Sequence, residues 1–187
     1  MLISSLKKAM SLVSTRRIVL ASLFGVIILV TNGYIPAPDS DFLIIIQSLL
    51  LALSYLIVGR GGATYVGVVS GMLITAVKLG FFPVDLIFAS LFGVLVDVLG
   101  AALHVQENGR ASSLKLAVCM MVSTGVVGLG AFYVSVIMFP SSFANVPHDP
   151  ITDSTILLFG VLSGAAAGVI GARLWNRNLM ARFHNRY

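Results

Sequence analysis

Charge is scarce in this sequence. Asp, Glu, Lys and Arg make up 10% of its 187 residues, against 58% hydrophobic. Soluble domains carry about 25% charged residues, so a water-soluble globule is excluded and a membrane protein is expected. Cysteine is nearly absent. Cys119 is the only one, which rules out an internal disulfide and a cysteine-based zinc site. It lies in an apolar run and reads as a small buried hydrophobe.

Catalytic signatures are also missing. There is no G-x-x-x-x-G-K-[ST] phosphate loop and no H-E-x-x-H pair. Gly59-Arg60-Gly61 and Gly128-Leu129-Gly130 have no strand context for a dinucleotide site. The run Gly67-Val68-Val69-Ser70-Gly71 has the look of an intramembrane serine protease. That chemistry needs a histidine base at membrane depth, and His104, His148 and His184 fall in loops or the tail. No acidic pair suits a metalloenzyme. An enzyme is therefore not expected, and neither is a metal or a cofactor.

Long apolar runs are what the sequence does have. One crossing takes about 20 apolar residues, and the runs predict an all-α membrane protein, a six-transmembrane-helix bundle. Residues 1–15 read as an amphipathic segment lying on the membrane, with Lys7 and Lys8 opposite the apolar face. The transmembrane domain covers 16–176, and 177–187 form a basic tail. Helices are expected over Arg17–Asn32, Phe42–Val58, Ala63–Lys78, Pro83–Leu103, Ser113–Phe139 and Ile151–Trp175. The fifth is long enough to be tilted or broken near Gly125, Gly128 and Gly130. The run Ile18 to Val30 is slightly long for a signal-peptide core, and no small-x-small cleavage site follows it. It reads as a retained first helix.

Six crossings put both termini on one side. Eleven of the twelve Lys and Arg then fall on the terminal side, and only Lys78 on the other. By the positive-inside rule the N and C termini are cytoplasmic, in a multi-pass protein of the cell membrane. The net charge of +5 thus reports topology, and a nucleic-acid partner is not expected. Asp39, Asp41, Asp85, Asp149 and Asp153 fall on the outer side.

Small residues allow helices in lipid to approach closely. They recur at Gly160, Gly164, Gly168 and Ala172; at Gly67, Gly71 and Thr75; at Ala89 and Gly93; and at Ala21 and Gly25. The first sets read as faces that hold the bundle together. The Ala21–Gly25 face can also dock another membrane subunit. Ionisable groups at membrane depth are costly unless partnered. Lys78 and Asp85 flank the turn between helices 3 and 4, and either pair with each other or touch a ligand. Asp97 is a buried charge toward the inner end of helix 4. It pairs with Arg60 or Lys115, or serves docking or coupling. Around the outer rim, Asn32, Tyr34, Asp39, Gln47, His148 and Asp153 complete a candidate substrate site whose acidic surface favours cationic or neutral ligands.

The basic N-terminus, the small pair Ala21 and Gly25, and the run Leu49-Leu50-Leu51-Ala52-Leu53-Ser54-Tyr55-Leu56 ending in a glycine turn form one pattern. Helix 3 opening on Gly61-Gly62-Ala63-Thr64-Tyr65-Val66-Gly67-Val68-Val69-Ser70-Gly71 continues it. Across nearly its whole length the chain resembles the substrate-binding S component of an energy-coupling-factor (ECF) vitamin transporter. The resemblance implies a vitamin-like small molecule bound in the outer half, under the loop after helix 1. It also implies a transmembrane coupling protein and two ATPase subunits, with Ala21 and Gly25 docking the coupling protein. Metal-specific members carry histidine after the initiator methionine. Leu2 stands there instead, which speaks for a vitamin or its precursor. Two other readings stay open: a stand-alone secondary transporter or channel with Asp97 on its ion path, and a membrane scaffold without a ligand.

Overall fold

Lipid offers a backbone no hydrogen-bond partners, so an apolar run at membrane depth closes its bonds within a helix. The computed structural model, which describes residues 18–31, 44–77, 83–107, 109–139 and 150–179, follows this rule. Six α-helices stand among the described residues: α1 Ile18–Thr31, α2 Ile44–Val58, α3 Gly62–Val77, α4 Val84–Ala102, α5 Ser113–Met138 and α6 Pro150–Leu174. A two-stranded antiparallel hairpin, β1 Gln106–Glu107 and β2 Arg110–Ala111, joins α4 to α5. After α6 the chain widens into a π turn over Trp175–Leu179.

Three helices are long and apolar enough to cross a membrane: α4, α5 and the segment Ser154–Leu179. The other three are shorter apolar helices. At 1.5 Å per residue the 15 residues of α2 reach about 22 Å. Where the flanking residues are described, at the α2–α3 turn, at both ends of α4 and α5 and at the end of α6, the expected boundaries hold to within a residue or two. Gly59 and Gly61 take φ of 88° and 89° in the turn between α2 and α3, a backbone that side chains with a Cβ rarely adopt. Pro150 opens α6, where its missing N–H costs nothing.

Two expectations change. α5 is continuous from Ser113 to Met138 and is not broken at its glycines. Single glycines leave the backbone ladder intact, and α6 packs on α5 at Gly125 while Phe88 of α4 meets Gly130. The stretch from His104 to Arg110, read as a plain inside loop, contains the hairpin.

The interior is apolar, with Ile28, Leu51, Phe92, Leu116 and Met120 buried, and a few small hydroxyl residues lie among them. Ser48, Ser54, Ser70, Ser123 and Thr124 are buried, while Leu162, Val98, Ile137 and Val19 are more than half exposed. The buried hydroxyls donate to carbonyls one turn back: Ser54 to Leu51 (2.7 Å), Ser123 to Cys119 (2.8 Å) and Thr124 to Met120 (2.7 Å). Hydroxyls satisfied on their own helix can be buried without water.

The small-residue faces meet each other. Gly160, Gly164 and Gly168 of α6 lie against Thr124, Met120 and Ala117 of α5, so the two helices run antiparallel. In α3 and α4, Gly67 lies on the Ala89 carbonyl and Gly93 on the Ala63 carbonyl, also antiparallel. Phe88 packs on Gly130, and Cys119 Sγ lies 3.6 Å from the Val96 carbonyl oxygen, which makes α4 antiparallel to α5. The Ser48 hydroxyl meets Thr124 Oγ1 at 3.5 Å between α2 and α5.

The pair Ala21 and Gly25 is used inside the chain. Ala21 is 1% exposed. A Cβ on Gly25 would stand 2.9 Å from Val69 Cγ1 and 3.4 Å from the Ser70 nitrogen. Ser22 Oγ and Tyr65 Oη lie 3.3 Å apart on the same seam. At Gly25 this face therefore packs on α3, since close backbone approach serves an internal helix as well as an external one.

Candidate functional site

Helix direction sorts the polar groups to two ends. The starts of α2, α4 and α6 share one end, with Gln47, Asp85 and Asp153 in or near the first turns. Gln47 and Asp85 are both half-buried and both have partners. The remaining outer-rim residues, Asn32, Tyr34, Asp39, Lys78 and His148, lie outside the described residues, as does any Lys78–Asp85 pairing.

The opposite end carries Asp97, and its environment differs from the expected ion pair. Asp97 sits on α4 facing the N-terminus of α3, where the first N–H groups have no intrahelical acceptor. Its Oδ2 accepts the Thr64 N–H at 2.7 Å and the Thr64 hydroxyl at 2.6 Å. Its Oδ1 accepts the Ala63 N–H at 3.4 Å. A carboxylate from another helix thus caps α3, and the positive end of the helix dipole offsets the cost of burying it. Gly67 and Gly93 let the two backbones come close enough for the cap to form.

The expected partners of Asp97 are engaged elsewhere or exposed. Lys115 Nζ donates to Glu107 Oε1 at 2.7 Å and to the His104 carbonyl at 3.3 Å. Arg60 is exposed in the α2–α3 turn. The hydrogen bond from Lys115 holds the Glu107 carboxyl below its ordinary pKa of 4.5. A lowered carboxylate pKa favours the folded hairpin above that ordinary value, and the contribution fades as pH falls through the lowered one.

The hairpin is stitched to the end of α6. The Trp175 indole N–H donates to the Gly109 carbonyl at 2.8 Å. The Asn176 side chain accepts from the Ala111 N–H at 2.9 Å and donates to the Ala111 carbonyl at 2.8 Å. Asn176 thereby bonds the outer edge of β2 as a neighbouring strand would. Sequence reading missed this latch. One signal was present, the Asn108-Gly109 pair that favours two-residue hairpins, and Gly109 takes φ of 77°. Nothing in the sequence marked Asn176 as its partner.

Asn176→Ala removes both bonds to Ala111. At about 1 kcal/mol net per bond, amide exchange at Ala111 and Ser112 should quicken by roughly tenfold or more, with protection in mid-α5 unchanged. Hydrogen exchange followed by mass spectrometry reads this. Unchanged exchange would leave Trp175 as the sole tie.

Among the described residues no three His, Cys, Asp or Glu side chains come together as a metal site. The two ends therefore offer different chemistry: a hydrogen-bonded capping network at one, and polar helix starts at the other. No protein-family model, curated protein or solved structure matches this chain.

Proposed function

We propose that the chain is the substrate-binding membrane subunit of an ECF-type importer. In this reading all six helices cross the cell membrane, with both termini cytoplasmic. The protein captures a vitamin or vitamin precursor from the outer side and delivers it with a transmembrane coupling protein and two ATPase subunits. The observation that carries the reading is the asymmetry of the bundle. One end is tied together by the Asp97 cap and the Trp175–Asn176 latch. The other carries Gln47 and Asp85 at helix starts. A protein that takes a ligand from one side needs polar groups at that end and a braced far end.

The cap also weighs against a stand-alone ion-coupled transporter. Asp97 spends its hydrogen-bonding capacity on α3, and a carboxylate that releases and rebinds an ion each cycle would have to give up that cap. Coupling-protein docking through Ala21 and Gly25 is not part of the proposal, because that face packs on α3 at Gly25.

Native mass spectrometry of detergent-purified protein tests the reading. A retained vitamin-sized mass is expected, with weaker retention in Asp85→Ala. Protein that arrives empty and also binds nothing in a vitamin panel would overturn it.

A further inference from the structure

We infer that Arg110, Arg173 and Arg177 form a binding site for the headgroup of an anionic phospholipid. The three come from two segments, β2 and the end of α6, that the latch joins. Arg110 precedes Ala111 on β2, and Arg177 follows Asn176, whose amide makes two hydrogen bonds to Ala111. Arg173 lies one turn before Arg177 on the same helix end. All three are exposed.

Among the described residues none of the three forms an ion pair. The two carboxylates at this end are committed elsewhere: Asp97 caps α3, and Glu107 takes Lys115. The Lys115–Glu107 pair is the one ion pair among the described residues. Guanidinium groups suit phosphate oxygens through paired N–H donors.

Placement favours a lipid over a soluble anion or an acidic protein. Arg110 lies in the connection between the membrane-length helices α4 and α5, and Arg173 and Arg177 lie in the last turns of the third such segment, Ser154–Leu179; in a bilayer such positions fall near the headgroups. Leu162 and Ile170 are exposed on α6 ahead of Arg173, and Leu174 is exposed beside it. One molecule with a phosphate head and acyl chains matches both the charge and the adjoining apolar residues. The orientation proposed above would put this end at the cytoplasmic leaflet, but the site does not depend on the transport reading.

The test is native mass spectrometry of the full chain titrated with phosphatidylglycerol and, separately, phosphatidylcholine of the same acyl chains. Wild type should prefer phosphatidylglycerol. A basic residue near an anionic surface contributes about fivefold in affinity, so R110Q/R173Q/R177Q should lower the preference by about a hundredfold, with its thermal transition in detergent kept. R60Q, which removes an arginine outside the cluster, should leave the preference unchanged. No preference in wild type overturns the proposal. So does a preference that survives the triple substitution, or one that R60Q reduces as much as the triple variant does.

Discussion

Gly164→Leu should leave little folded protein in detergent, with a loss of about 3 kcal/mol or more, at the upper end for overpacked sites. A Cβ at this position would stand 2.5 Å from the Met120 carbonyl oxygen, 2.8 Å from its carbon and 2.8 Å from Thr124 Oγ1. Two of these atoms are α5 backbone and cannot rotate away. The helices would have to part, and the neighbouring contact at Gly168 would open with them. There a Cβ would lie 2.5 Å from Ala117 Cα. Helices in lipid gain little from burying apolar surface against each other, so lost close packing is not recovered by new apolar contact. Gly128 is the matched control. It lies on α5, and a Cβ there would meet nothing within 4 Å. Gly128→Ala should be neutral or stabilising by about 1 kcal/mol through helix propensity. Thermal unfolding of both variants in one detergent reads the contrast. Equal transition temperatures would mean that α5 and α6 do not meet along this face.

Asp97→Ala should cost about 3 kcal/mol, since it strands the Thr64 N–H, the Thr64 hydroxyl and the Ala63 N–H in a buried site. An unsatisfied buried donor costs about 1–3 kcal/mol, and part of the loss is recovered by local fraying at Gly62. Asp97→Asn keeps an acceptor oxygen but gives up the charge facing the helix dipole, so about 1 kcal/mol is expected. Thr64→Val removes one bond and should resemble it. Arg60→Gln should have almost no effect. Detergent thermal shifts across the four variants rank them. An Arg60→Gln loss as large as that of Asp97→Ala would restore the ion pair that the sequence suggested.

The two effects share a cause. Gly67 and Gly93 bring α3 and α4 to backbone contact, and that contact carries Asp97 to the end of α3. Small residues thus position the charge as well as hold the helices together. The same logic applies to Ala21 with Gly25, where the sequence left internal packing and subunit docking both open and Gly25 packs on Val69 of α3. A small-xxx-small face announces close approach without saying to what.

The sequence by itself determined that this is a helical membrane protein, and where its helices start and stop. Lipid leaves an apolar run one way to satisfy its backbone, and Gly59, Gly61, Pro83 and Pro150 cut the runs at turns. Composition also placed Asp97 toward one end and the arginines with it. Only the tertiary structure decided how each helix is rotated, and hence what each polar group meets. A helix that is apolar all round carries no stripe to fix its inward face. So the α3 cap made by Asp97, the burial of Ala21 and Gly25, and the bonding of Asn176 to Ala111 were not legible. Each joins residues more than thirty positions apart, through contacts that exist only after the helices have packed.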